Sequence, residues 1–433
     1  MMNKIEKFYS KQLCESVYHV YHESGLFITY VPKKKVSAQA VLYVNFGGKY
    51  HRYTTDNGET SLPLGCAHFL EHKMFDNSDG SNADAIINSY GGYCNAFTSS
   101  TKTAYFFSTT ENFYECLTEL VRFVTIPYFT EESVKKEMGI IAEEIRGCND
   151  DPYDRCHVNL LSAMYKNNTV KNEICGTEES ISEITPDILY KCCRDFYTPE
   201  NMSLCISGDL DIDKIIETID GILPALPKFS AREIPQDEPD GVVSEYVSAD
   251  MPLAKPICCI GLKINDIPTD KRERLKQSAA LDVFCRMVFS QSEEFYLELL
   301  DKKLISPGFD CGASTTKSFS YISFSGESDD PVELMRQIKD KISQVKYSEL
   351  DREAFEREVK CDYASFISDF DSTEDITFML MSYASGKDNM NLFEYLDILG
   401  SIDIEYIQTL IQRVLKEENM ALSVIYPIKE DNV

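Results

Sequence analysis

The chain has 433 residues, 43% apolar and 26% charged, an ordinary folding composition with room for two or three domains. Its 20 glycines and 16 prolines are too few for a collagen-like or low-complexity chain. With 43 basic against 71 acidic residues the formal charge is −28; this opposes nucleic-acid binding, which needs Lys and Arg to neutralise phosphates, and suits solubility or a field that attracts cationic peptides.

The opening segment, MMNKIEKFYSKQLCESVYHVYHES, lacks the apolar core of ~7–15 residues that a signal peptide requires. No apolar run reaches the ~18–20 residues of a membrane span, so a cytoplasmic protein with no membrane partner is expected. A small basic cluster, Lys33 to Lys35, follows Pro32 and reads as a turn cap or a solvated strand end. Residues 38–47 read as a strand, 103–109 as another, and Glu111 to Val124 as a helix. Thr130 to Gly147 is an amphipathic helix, with Thr130 as N-cap, Glu131 and Glu132 in the first turn and Gly147 as stop. Residues 202–207 are a strand, followed by a helix from Asp211 to Ile222.

That order then recurs. The strand 257–263 lies about 217 residues after the first strand, and Tyr321–Ser325 repeats Tyr105–Ser108. Asn419-Met420-Ala421-Leu422 repeats Asn201-Met202-Ser203-Leu204 at an offset of 419 − 201 = 218. A duplicated α+β unit follows, each copy an antiparallel-rich mixed sheet covered by helices. Residues 223–256 hold six prolines and many acids without periodicity. The expected division is a first domain at 1–228, a linker at 229–252 and a homologous second domain at 253–433 without a metal site. The 15 cysteines include no CxxC and read mostly as small, reduced, buried hydrophobes.

Chemistry concentrates in GCAHFLEHKMF, residues 65–75. On a helix His72 lies about 40° from His68, and Glu71 about 60° to the other side, so all three share a face. Two imidazoles one turn apart can reach one Zn²⁺, and the intervening carboxylate can take a proton from water beside it. The same residues could sit on a solvated helix, but the small and apolar flanks point to burial, and burying them without partners is costly. A third ligand is sought on the helix 130–147. There Val134, Met138, Ile141 and Ile145 form an apolar stripe, and Glu137 and Glu144 share a bordering face. Glu144 is favoured over Glu143, which points about 100° away, with Glu137 placed behind the ligands. Cys66 reads as core and His157 as structural.

These pieces resemble the pitrilysin/insulinase family of zinc peptidases, the inverzincins. The likeness is strongest to the two-domain class of the mitochondrial processing peptidases (their beta-type subunits) and paired bacterial homologues. GCAHFLEHKMF is followed in family order by GGYCNAFTSSTKTAYF at 91–106, EMGIIAEEIRGCNDDP at 137–152 and FYTPENMSLCISGDLD at 196–211. The resemblance implies a peptidase holding one zinc ion per chain on His68, His72 and Glu144, with Glu71 as base and Glu137 as a supporting acid. It also implies that Asn95, Ala96, Phe97 and Thr98 accept a peptide substrate as an added β-strand, and that each chain forms half of a clamshell around a chamber. One departure stands out: FYLELLDKKLISPGF, residues 295–309, places Leu300 and Ser306 where the family commonly has an Arg and a Tyr that steady the substrate carbonyl. Losing such a donor costs ~10²–10³ in rate. A heterodimer with a related chain that lacks H-x-x-E-H but brings the Arg and Tyr is therefore expected, with a homodimer as the alternative. Competing readings are a catalytically silent structural member of the same fold and a peptide-binding chamber whose metal is only structural.

Overall fold

The computed structural model describes residues 3–224, 226–384 and 390–428. It is a mixed α/β structure. Its packing divides into two compact units, one formed by residues 1–145, 172–235 and 366–394, the other by 146–171, 236–365 and 395–433.

The first unit carries strands β1 (Lys4–Ser10), β2 (Glu15–Tyr21), β3 (Phe27–Pro32), β4 (Ala38–Val44), β5 (Arg52–Thr55), β6 (Gly58–Ser61), β7 (Tyr93–Thr98), β8 (Thr103–Thr109), β9 (Met202–Gly208) and β10 (Arg232–Glu233). Seven of them form one sheet in the order β1-β2-β3-β9-β4-β8-β7, and β10-β5-β6 form a small second sheet. Only β3 and β9 run parallel in the large sheet. Every residue of β4 and β9 is buried. Central strands covered on both faces lose the apolar–polar alternation, and their sequences, AQAVLYV and MSLCISG, do not alternate. The helix Phe113–Thr125 packs over β8 and β4, while the helix Thr373–Tyr383 packs on β4 and β9. The second helix is tied down where the Gln39 amide donates to Thr377 Oγ1 at 3.0 Å.

The second unit repeats this plan with β11 (Tyr246–Met251), β12 (Ile257–Ile264), β13 (Asp310–Thr315), β14 (Ser320–Glu327) and β15 (Met420–Pro427). Their order, β11-β15-β12-β14-β13, matches β3-β9-β4-β8-β7 strand for strand, including the single parallel pair. The offsets agree as well: 310 − 93 = 217, 320 − 103 = 217 and 420 − 202 = 218. The helix Pro152–Met164 covers β12 and β15. Gly261 makes this approach possible, since a Cβ there would stand 2.4 Å from the Met164 sulfur.

Three details differ from the local sequence signals, the first being that the strand expected over 38–47 ends at Val44. Gly147 does not stop its helix, which runs Glu131–Asp150; nothing lies within 4 Å of the Gly147 Cβ position, and the next helix starts only where Asp151 caps Pro152. Within 229–252 two strands form, β10 and β11, because each finds a sheet edge to pair with.

The stretch before β11 is fastened by an ion pair. Lys263 on β12 is fully buried and donates to Glu238 Oε1 at 2.8 Å, to the Pro239 carbonyl at 2.6 Å and to the Gly241 carbonyl at 3.1 Å. Glu238 also accepts from the backbone N–H groups of Lys166, Asn167 and Asn168. Burial alone would raise the Glu238 carboxyl, but the ammonium and the three amides outweigh it and hold it below the usual carboxylate range. Lys263→Met is expected to cost about 3 kcal/mol in urea unfolding at neutral pH, the range for breaking a buried pair from one side. A depressed carboxylate contributes stability above its unfolded pKa and loses it as pH falls through its folded value. The gap between wild type and variant should therefore shrink on acidification from about pH 5 downward.

Candidate metal centre

The helix Cys66–Lys73 begins at Gly65, whose φ of +86° favours glycine. A Cβ at Gly65 would stand 2.4 Å from the Cys175 carbonyl oxygen, so residues 64–66 and 175–177 cross with no room for a side chain. The Ser180 hydroxyl locks the crossing by donating to the Leu64 carbonyl at 2.9 Å. Gly65→Ala is expected to destabilise the chain by about 1–3 kcal/mol through this strained backbone and contact, read as a drop in thermal midpoint.

From that start the helix buries Cys66, Ala67, Phe69 and Leu70 in the core of the first unit. His68 and Glu71 are also buried, and His72 is half-buried. The two imidazole rings lie 4.7 Å apart, centroid to centroid, and nearly edge to face. The helix Glu131–Asp150 seats Val134, Ile141 and Ile145 in the same core, with Met138 packed against it, and so brings its acidic edge over the histidines. Its N-terminus is capped reciprocally, Ser133 N–H donating to Thr130 Oγ1 at 3.1 Å and Thr130 N–H to Ser133 Oγ at 3.2 Å.

Glu144 meets both rings. Its Oε1 is 3.4 Å from His68 Nε2 and its Oε2 3.5 Å from His72 Nε2. Ligands at ~2.0–2.1 Å in a tetrahedron stand ~3.3 Å from one another, so the two edges from Glu144 are already near that length. Among the described residues, one group of three or more His, Cys, Asp or Glu has ligand atoms within 4.8 Å of one another: His68, His72 and Glu144. The Glu144 side chain remains 41% exposed, which leaves the site open on one side. Glu143 is exposed and stands outside the group.

Glu137 sits behind His72. Its Oε1 is 3.1 Å from His72 Nδ1, which fixes that ring with Nε2 turned to the donor set. The hydrogen bond with His72 holds the Glu137 carboxyl below its usual range, against burial, which alone would raise it. Burial alone would lower His72, but Glu137 and the neighbouring carboxylates raise it above its ordinary value. His68 is pushed down, first by burial and then by His72, and its Nδ1 is buried without a hydrogen-bond partner.

Glu71 lies on the same helix face. Burial raises its carboxyl above the usual range, opposed by a hydrogen bond that Thr98 Oγ1 donates to Oε2 at 2.6 Å. Thr98 ends β7, one of the two edge strands of the large sheet, which also carries Asn95, Ala96 and Phe97. Asn95 is exposed, and its own Oδ1 accepts from the Ala96 N–H at 2.8 Å.

Three contacts escape any reading of local sequence: Thr98 with Glu71, the buried Lys73 beside Glu137 at 3.8 Å, and the Cys175 thiol 3.9 Å from His68 Nε2. Each joins segments far apart in the chain. The only local hint is that a lysine follows His72 on a buried helix. His157 lies in the second unit, 6.3 Å from the Tyr321 ring, and burial lowers it. Leu300 packs against the second core, and Ser306 N–H donates to the Glu327 carbonyl at 3.2 Å.

A duplicated mixed-sheet fold with an inverted H-x-x-E-H helix and a His-His-Glu donor set defines the class of the two-domain metallopeptidase folds. Residues 29–178 match the family described as Insulinase (Peptidase family M16), and residues 183–360 match the Peptidase M16 inactive domain. The uncharacterized zinc protease YmfH of Bacillus subtilis is 32% identical over 424 residues, covering 96% of this chain and 98% of that one. The chain belongs to the M16 peptidase family, the insulinase and pitrilysin group. A crystal structure of an M16-like peptidase from Alicyclobacillus acidocaldarius superposes with a TM-score of 0.90 at 27% identity, each chain covered to 99%. Pitrilysin shares the fold, with a TM-score of 0.73 at 13% identity; 98% of this chain covers 46% of that one. Among the described residues no helix is long and apolar enough to cross a membrane.

Proposed function

We propose that the chain is a zinc-dependent endopeptidase acting on short or unfolded peptides. The observation that carries this is the Glu144 carboxylate set across both imidazoles with the Glu71 carboxylate on the same helix face. His68, His72 and Glu144 would hold the ion, and the donor separations fit it; the chemistry of two imidazoles and a carboxylate also admits other divalent ions. Bound there, the metal supplies Lewis acidity, polarising a peptide carbonyl and making water a nucleophile near neutral pH. Glu71 takes the proton of the attacking water and delivers it to the leaving amine. Thr98 occupies Glu71 Oε2, which leaves Oε1 for that proton. The peptide adds as a strand along β7, bonded to the main chain of Asn95, Ala96, Phe97 and Thr98; the unpaired side of this edge strand supports that role. Asn95 must then release the Ala96 N–H that it occupies.

The working assembly we infer is a cytoplasmic pair of chains closing a chamber. Two considerations support it. The chain spans about half of pitrilysin. Leu300 and Ser306 offer no charged or phenolic donor, so the partner is a related chain that supplies an Arg and a Tyr. In this reading 1–228 is the catalytic domain and 253–433 its metal-free counterpart, joined through 229–252.

The test is zinc content and hydrolysis of a quenched peptide library on one purified sample. About one zinc per chain, with weak hydrolysis that rises when the partner chain is added, is the expected result. Full activity of the chain alone removes the partner; absence of bound zinc after reconstitution removes the peptidase.

A further inference from the structure

Among the described residues two lysines have side chains almost wholly inside the protein, Lys263 at 0% and Lys73 at 2% exposure. The first holds a structural loop. The second directly follows His72. A buried ammonium is tolerated only when paired, and Lys73 has two carboxylates: Asp76 Oδ2 at 2.5 Å and Glu137 Oε2 at 3.8 Å. Asp76 is 38% exposed and would be satisfied by solvent. Glu137 is only 16% exposed, and its other oxygen meets His72 Nδ1 at 3.1 Å. One carboxylate thus spans an ammonium and an imidazole. Glu144 meets the other side of the same ring, its Oε2 3.5 Å from His72 Nε2.

We propose that Lys73 is a positioning residue for the metal centre: its buried ammonium holds Glu137 in place, and through Glu137 it sets the His72 ring with Nε2 toward the donor set. This rests on the metal-site reading above. Without the ammonium, Glu137 is held by His72 alone and has two alternatives to that bond. It can turn to solvent, or it can compete as a ligand itself. Either releases the ring whose orientation the site needs.

The experiment is titration of Co²⁺ into the metal-stripped full chain, followed by its visible absorption band and by Zn²⁺ competition. Wild type, Lys73→Met, Glu137→Gln and the double variant are compared, with His68→Ala as control. Lys73→Met is expected to weaken Co²⁺ binding about tenfold, within the range for groups behind metal ligands, and to shift the band. Because both residues act through one carboxylate, the double variant should lose no more than the worse single one. A wild-type affinity and band in Lys73→Met, or losses that multiply in the double variant, overturns the proposal. If wild type takes up no Co²⁺, or His68→Ala takes it up equally, the metal-site reading fails instead. Should Lys73→Met not fold, Asp76→Asn decides: Glu137 becomes the sole partner of the ammonium, so affinity should stay within about threefold of wild type, and a tenfold loss overturns the proposal.

Discussion

Glu71→Gln should yield a folded, zinc-loaded chain that no longer cuts peptides. Glutamine keeps the size of the side chain and an oxygen to accept the Thr98 hydroxyl, so the helix and the edge strand stay joined. It cannot take a proton. Hydrolysis should fall by ~10²–10⁴, the worth of a positioned general base, with metal content unchanged. The test is a progress curve and a zinc determination on the same preparation. Loss of zinc together with activity would make Glu71 part of the metal's support; retained activity would remove it from proton transfer. A purely structural metal predicts no effect of this substitution on hydrolysis, because there would be none to lose.

Ligand choice on the helix Glu131–Asp150 gives the second large effect. Glu144→Ala should weaken zinc binding by more than about 100-fold, beyond the cost of losing a group behind the ligands. Glu143→Ala, one residue away and about 100° around the helix, should change neither metal content nor hydrolysis. The contrast follows from geometry, since Glu144 alone of the two places oxygens 3.4 and 3.5 Å from the imidazoles. Stability reports it independently of activity. Zinc at ~1,000 times its dissociation constant stabilises a fold by about 4 kcal/mol, so a chelator should lower the melting point of wild type and of Glu143→Ala but not of Glu144→Ala. Equal chelator sensitivity in the two variants would reassign the third ligand.

Much of this site is legible in a one-dimensional pattern because its chemistry is periodic. His68, Glu71 and His72 share a helix face whatever that helix packs against, and Glu137 and Glu144 share another by the same arithmetic. In the structure Glu144, not Glu143, lies beside the two histidines, and Glu137 meets His72 Nδ1. The duplication was visible as an offset near 217 because sheet cores repeat their own short apolar words. Strand order and the parallel pairs β3–β9 and β11–β15 carry no such word. Gly147 shows a local signal overruled: glycine permits a helix end but does not enforce one, and the helix continues to Asp150.

By itself the sequence determined where the H-x-x-E-H helix lies, which of its side chains converge, the existence of two related halves and, to within a residue, the strands at 103–109, 202–207 and 257–263. Each is set by interactions within a few residues or by a repeat. Only the tertiary structure decided which sheet each helix covers. Nothing local in Thr373–Tyr383 says that this helix meets β4 and β9, more than 160 residues away. The same holds for Pro152–Met164, which packs on β12 and β15, strands that lie far along the chain from it. It also decided the contacts around the site, Thr98 on Glu71 and Lys73 on Glu137, because a hydrogen bond or ion pair across tens of residues depends on how two surfaces meet, and no local spacing encodes that.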